Sequence, residues 1–277
     1  MKPPQTQQSD EPRINKITKV ANQVGEQNSL AEKSPFAELA AMWQSLPSQA
    51  IGNLFVGRSD SDEQSNSYER AYRFKVKTAD LAALLAPTNL QVRIHLAADT
   101  NYKANQINAT PGFVPLIQGY DAGNTDPYAN AFLTDWLKAP GEGNLRNGLS
   151  IDEIYALAGI EGDSVVNQKT ADQFILTWLN VEDNAMGQQF ESRLDGYVVT
   201  KRVRYFTFSE ADSALIKNQL DSYTNPELFV YLGSYQSFSI DSYAFDVCII
   251  LEPRGTTVSG KKESNFYEFS SPCPPAC

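Results

Sequence analysis

The sequence predicts an α+β fold of two tandem helix–strand–helix–strand–strand units, an internal duplication, behind a flexible N-terminal arm. Three observations predict it. Segments of the first half recur in the second, in the same order and 132 to 136 residues further on. The apolar pattern alternates between a helical and a strand period in both halves. The first 34 residues are rich in Pro, Gln, Ser and Asn, and bury too little to offset chain entropy.

The recurrence runs through four segments. "RAYRFKVKTAD" (70–80) parallels "RVRYFTFSEAD" (202–212), matching Arg70 to Arg202, Phe74 to Phe206 and Asp80 to Asp212. "AELAAMW" (37–43) parallels "DQFILTW" (172–178), which sets Trp43 opposite Trp178. "LQVRIHLAAD" (90–99) parallels "PELFVYLGSY" (226–235), and "GFVPLIQGYD" (112–121) parallels "AFDVCIILEP" (244–253). The units span 35–137 and 149–277, and the Gly-rich stretch 138–148 links them.

Each element has a local reason. In the arm, Ile14, Ile17, Ala21 and Val24 recur at helical spacing, so 13–25 reads as a short helix. The first helix of each unit carries the Trp. In the second unit Thr170 and Gln173 have capping-box spacing. The next strand places Tyr72, Phe74 and Val76 on one face and Arg73, Lys75 and Lys77 on the other, which reads as a solvated basic face. Ser209 is placed to cap the following helix. A second strand turns Val92, Ile94 and Leu96 inward. The third, "FDVCIIL", is apolar throughout and so expected to be buried on both faces. Pro115 in its first-half counterpart argues for an edge or a bulge. After the linker, Ser150 and Glu153 predict a helix over 151–159.

Composition narrows function. The formal charge is −10, which disfavours binding to phosphate backbones. No apolar run reaches the roughly 20 residues of a membrane span. The opening "MKPPQTQQSDEPRINK" has no apolar core of a secretory signal, and three cysteines suit a reducing compartment, so the expected location is the cytoplasm.

Three stretches together, "VRIHLAAD" (92–99), "FVPLIQGYDAGNTD" (113–126) and "FYEFSSPCPPAC" (266–277), carry a resemblance. They resemble a family of uncharacterised Bacteroidota proteins with an R-I-Y-F-like strand, a V-G-V-D-x-x-G-N-D-like strand and turn, and a C-P-P-x-C ending. His95 stands where that pattern has an aromatic. The resemblance implies a bacterial cytoplasmic protein and supplies no catalytic residues.

The chemistry-bearing residues are few. His95 is the sole histidine, and its counterpart is Tyr231, so an imidazole is not demanded there and a surface or packing role is expected. No nucleophile elbow, phosphate loop or dinucleotide fingerprint is present. Cys248 falls inside the "DVCIIL" strand and reads as an inert buried thiol, which leaves no intrachain zinc set. Asp121, Asn124 and Asp126 in "DAGNTD" offer oxygens for an ion, though such residues also simply make turns.

Cys273 and Cys277 are separated by "PPA". In polyproline II geometry their Cα atoms lie about 12 Å apart, beyond the roughly 7 Å limit for a disulfide. The pair therefore reads either as two thiols on a stiff tail offered to a partner, or as part of a tail packed on its own domain by Phe266, Tyr267 and Phe269. The expected function is a non-catalytic interaction or assembly protein, with an unknown protein partner or self-assembly, no cofactor, no metal, no nucleic acid and no membrane. A thiol-based redox or metal-handling protein using Cys273 and Cys277, or a hydrolase of unrecognised type, are the alternatives.

Overall fold

A computed structural model describes residues 35–58, 68–87, 89–99, 111–121, 127–133, 135–136, 165–166, 168–191, 202–235, 246–268 and 270–273. The expected arm with its helix over 13–25, the linker 138–148 and the helix 151–159 lie outside them. The fold is α+β.

In the first half, α1 (Pro35–Ser45) and the short α2 (Ser48–Ile51) lead through a 3-10 turn (Gly52–Phe55) into β1 (Val56–Arg58) and β2 (Tyr68–Arg70). Then come β3 (Arg73–Lys75), α3 (Thr78–Leu84), β4 (Leu90–His95), β5 (Leu116–Asp121), β6 (Pro127–Phe132) and β7 (Asp135–Trp136). The second half runs β8 (Val165–Val166), α4 (Gln168–Asn180), a 3-10 turn (Met186–Phe190), β9 (Tyr205–Phe208), α5 (Glu210–Asp221), β10 (Glu227–Ser234) and β11 (Val247–Thr256). It ends with β12 (Lys262–Ser264), β13 (Phe266–Tyr267) and β14 (Ser270–Cys273).

Local chemistry accounts for several of these. The Ser209 hydroxyl accepts a 3.1 Å bond from the Asp212 N–H and so caps α5 as expected. In β4, Leu90, Val92 and Ile94 are buried while Gln91, Arg93 and His95 are half-buried, the alternation of a strand with one face on the core. β11 is buried from Val247 through Pro253, so its apolar run does serve two faces.

Two local expectations need correction. Thr170 does not cap α4, because the helix starts two residues earlier, at Gln168. Pro115 marks no edge, and the register shift that β5 does show against β6 falls at Gly119/Tyr120, away from the proline. Pro115 sits just ahead of β5, an interior strand, where its missing N–H breaks no ladder, and its carbonyl accepts the Leu133 N–H.

The strands form a seven-stranded sheet in the order β7-β3-β10-β11-β13-β8, with β12 on β11, and a five-stranded sheet in the order β14-β9-β4-β5-β6. The named pairings are antiparallel, and β1 and β2 make a small third sheet. Each large sheet takes strands from both halves of the chain. First-half β3 pairs with second-half β10, and second-half β9 pairs with first-half β4. One hydrophobic cluster joins both large sheets and the helices packed on them, with Trp43, Trp178, Phe55 and Phe190 fully buried in it.

The basic run on β3 is less solvated than its alternation predicted. β3 is an interior strand, Arg73 and Lys75 are half-buried, and Lys75 pairs with Glu227.

Candidate functional site

Antiparallel pairing of β10 and β11 sets Phe229 opposite Glu252 and Leu228 opposite Pro253, so Phe229, Tyr231, Glu252 and Arg254 share one face. Glu252 has no solvent exposure. A carboxylate in that position requires partners, and it has two. Tyr231 donates its hydroxyl to Glu252 Oε2 at 2.5 Å, and Arg254 Nε donates to Oε1 at 2.5 Å. Arg254 closes the triangle with a 3.2 Å bond to the Tyr231 oxygen. Its guanidinium also lies 4.8 Å from the Phe229 ring centre, a cation–π distance.

Burial, then the neighbouring Glu252 charge, pushes the Tyr231 phenol far above its ordinary pKa. Tyr231 is therefore a permanent hydrogen-bond donor here. Asp172 on α4 is raised as well, by burial first and Glu252 second.

This network anchors one wall of an open groove of about 690 Å³. Thr78, Thr224, Asn225, Pro226, Glu227, Arg254, Gly255, Thr256 and Lys262 line it. Glu227 is ion-paired to Lys75, the Thr224 hydroxyl donates to the Thr256 carbonyl at 3.1 Å, and Arg254 is bound to Glu252. The lining thus offers hydroxyl, amide and charged groups already held in place by the sheet.

The residues singled out from sequence lie elsewhere. Cys273 is the last residue of β14, opposite Tyr205 at the edge of the five-stranded sheet. Cys277 lies outside the described residues. Asp121 ends β5 opposite Leu90, and Asn124 and Asp126 lie outside the described residues. Cys248 is buried in β11, and burial raises its thiol pKa well above the usual range, which disfavours the thiolate. Among the described residues no three His, Cys, Asp or Glu side chains converge to hold a metal.

His95 packs as expected. Its ring stands edge-on to Phe36 at 5.4 Å and lies 4.7 Å from Tyr205. Burial first, and then the Arg93 and Arg204 charges, lower its pKa from 6.5 to about 3. It is a neutral imidazole at physiological pH, held by aromatic rings.

The Tyr231–Glu252–Arg254 network was missed from sequence. The available signal was "LEPR": two opposite charges at strand spacing at the end of an apolar strand, where the buried carboxylate needs a charged partner beside it. No family model matches the chain, and neither a curated protein nor a solved structure does.

Proposed function

We propose that the chain is a non-catalytic interaction protein, and that the groove beside Arg254 receives an extended, hydrogen-bonding segment of a protein partner. One observation carries this reading. The charged groups Glu227 and Arg254 are tied into ion pairs with the sheet, so the groove has fixed donors and acceptors for recognition, not groups poised to exchange protons. Thr224, Asn225 and Thr256 add side chains suited to bonding a peptide backbone. The net charge of −10 weighs against a nucleic-acid partner. No helix among the described residues is long and apolar enough to cross a membrane. A cytoplasmic location is part of the same reading and rests on the low cysteine count.

A thiol role for Cys273 and Cys277 is the second reading. It draws on one feature: Cys273 ends the edge strand of its sheet, next to the stretch that carries Cys277.

Photo-crosslinking tests both. A benzophenone amino acid at Asn225 in the full chain, expressed in its own cells, should give a discrete adduct. The adduct should be absent from a probe at Leu215, an exposed position on α5, and should vanish when Thr224→Trp fills the groove. Equal labelling at both positions, or an adduct indifferent to Thr224→Trp, overturns the groove reading. An adduct abolished by Cys273→Ser with Cys277→Ser points to the thiols instead.

A further inference from the structure

We propose that the boundary between the two halves is a self-complementary docking surface, fitted to a second copy of the same unit, and that neither half completes its sheet without the other. In an interface of this kind residue i meets j while the counterpart of j meets the counterpart of i. The contacts across this boundary behave in that way, and three independent sets of them do so.

The first set is a pair of arginine clasps. One terminal nitrogen of Arg70 donates to the carbonyls of Trp178 and Leu179 at 2.9 and 3.0 Å and also to that of Val181, at the end of α4. Arg202 in turn donates to the carbonyls of Trp43 and Leu46 at 2.8 and 2.6 Å, at the end of α1. Each arginine supplies the orphan carbonyls of a helix end belonging to the other half, where a cation also suits the helix dipole. Arg70 also pairs with Asp183, and the corresponding contact of Arg202 is to the Ser48 hydroxyl at 3.4 Å; the Arg202–Glu191 ion pair lies within the second half and has no counterpart across the boundary.

The second set runs in the opposite direction. Trp43 donates its indole N–H to the Val203 carbonyl at 2.9 Å, and Trp178 donates to the Ala71 carbonyl at 3.2 Å. Each tryptophan thus returns a bond to the residue following the arginine that clasps its helix. Between them the Phe55 and Phe190 rings lie parallel, with an interplanar angle of 2° and centres 5.6 Å apart. Matching residues that meet each other mark where a local two-fold axis passes.

The third set is the exchange of strands. β3 extends the sheet of β10, and β9 extends the sheet of β4. The Leu96 N–H bonds the Arg204 carbonyl and the Leu232 N–H bonds the Tyr72 carbonyl, both at 2.8 Å. The glycines agree: a Cβ on Gly52 would collide with the Asp183 carbonyl, and one on Gly187 with the Ser48 carbonyl. Two unrelated halves would have no reason to place these features at the same sequence offset. The partner this surface fits is therefore a second copy of the unit, which the chain carries within itself. In a separated half, the open edges of β3 and β4 would take another copy of that half.

A protease site inserted at Gly143 of the full chain, outside the described residues, tests this. After cleavage, the nicked protein should elute with the intact protein and unfold in one transition. Each half isolated in urea and refolded alone should be unfolded, or run as a dimer or larger. Mixing the halves in equal amounts should restore the elution and circular dichroism of the intact protein. A half that refolds alone as a monomer with a cooperative transition overturns the proposal, as does parting of the nicked halves without denaturant. In the uncut chain, Arg70→Met and Arg202→Met should each lower the unfolding midpoint and leave one transition. Division into two transitions overturns it equally.

Discussion

At the scale of single residues, buried polar groups decide most of what can be measured. Glu252 is fully buried and held by Tyr231 and Arg254. Arg254→Met removes its charge partner and should cost about 3 kcal/mol, read by urea denaturation. Adding Glu252→Gln should recover part of that loss, and no recovery would show that the carboxylate is not the strained group. His95 gives a pH signature. Its folded pKa, about 3, lies below the unfolded 6.5, so the unfolded chain binds the proton more tightly. The stability held at neutral pH is therefore lost as pH falls from 6.5 toward 3, at up to about 1.4 kcal/mol per unit. His95→Phe should flatten that slope, and the lone imidazole signal should stay neutral by NMR at pH 5. Glu268 has the opposite sign. Burial raises its carboxyl from 4.5 to about 8, so the fold favours the protonated form and loses stability as pH rises through that window. Glu268→Gln should leave stability unchanged below pH 4.5 and raise it above pH 8. A uniform gain at all pH values would assign the effect to packing.

At the scale of elements, the longer helices and the central strands were readable, while α2, the strands β1, β2, β6 to β8 and β12 to β14, and the pairing between halves were not. Alternation identified the buried face of β4, the run of apolar residues identified β11, and Ser209 identified the start of α5. These are signals carried within a few residues of chain. The pairings between the halves join residues more than a hundred positions apart, so no local pattern announces that β3 lies against β10. The same limit hid the groove, whose lining comes from α3, from the turn before β10 and from β11 and β12. The candidate sites chosen from sequence were residues of reactive type, and the side chains that gather in space are a tyrosine, a glutamate and an arginine of ordinary type. Packing between α4 and β10 sets a further expectation. A Cβ on Gly233 would sit 2.7 Å from Cys248 Sγ and 2.9 Å from Phe174 Cβ. Gly233→Ala should lower stability by about 1–3 kcal/mol, and Cys248→Ala in the same chain should return some of it. An unchanged midpoint for Gly233→Ala would mean that α4 shifts freely over the sheet.

At the scale of the whole molecule, one continuous core spans both halves. Trp178→Ala, which empties the middle of it, should cost about 3–5 kcal/mol. The loss should appear at the same denaturant concentration by tryptophan fluorescence and by far-ultraviolet circular dichroism, because the main core cluster draws its residues from both halves. Non-coincident curves would show two cooperative units.

The strand exchange also dictates when the protein can fold during its synthesis. β3 ends at Lys75 and waits for β10, which begins at Glu227, and β4 ends at His95 and waits for β9, which begins at Tyr205. At roughly 5–20 residues per second, each wait on the ribosome lasts on the order of 10 s. Throughout it the nascent first half carries unpaired strand edges, the feature most prone to wrong association. Ribosomes stalled at residue 200 should hold chains readily cut by protease between residues 68 and 99. Ribosomes stalled on a flexible linker of about 40 residues appended after Cys277 should hold chains that resist the same cut.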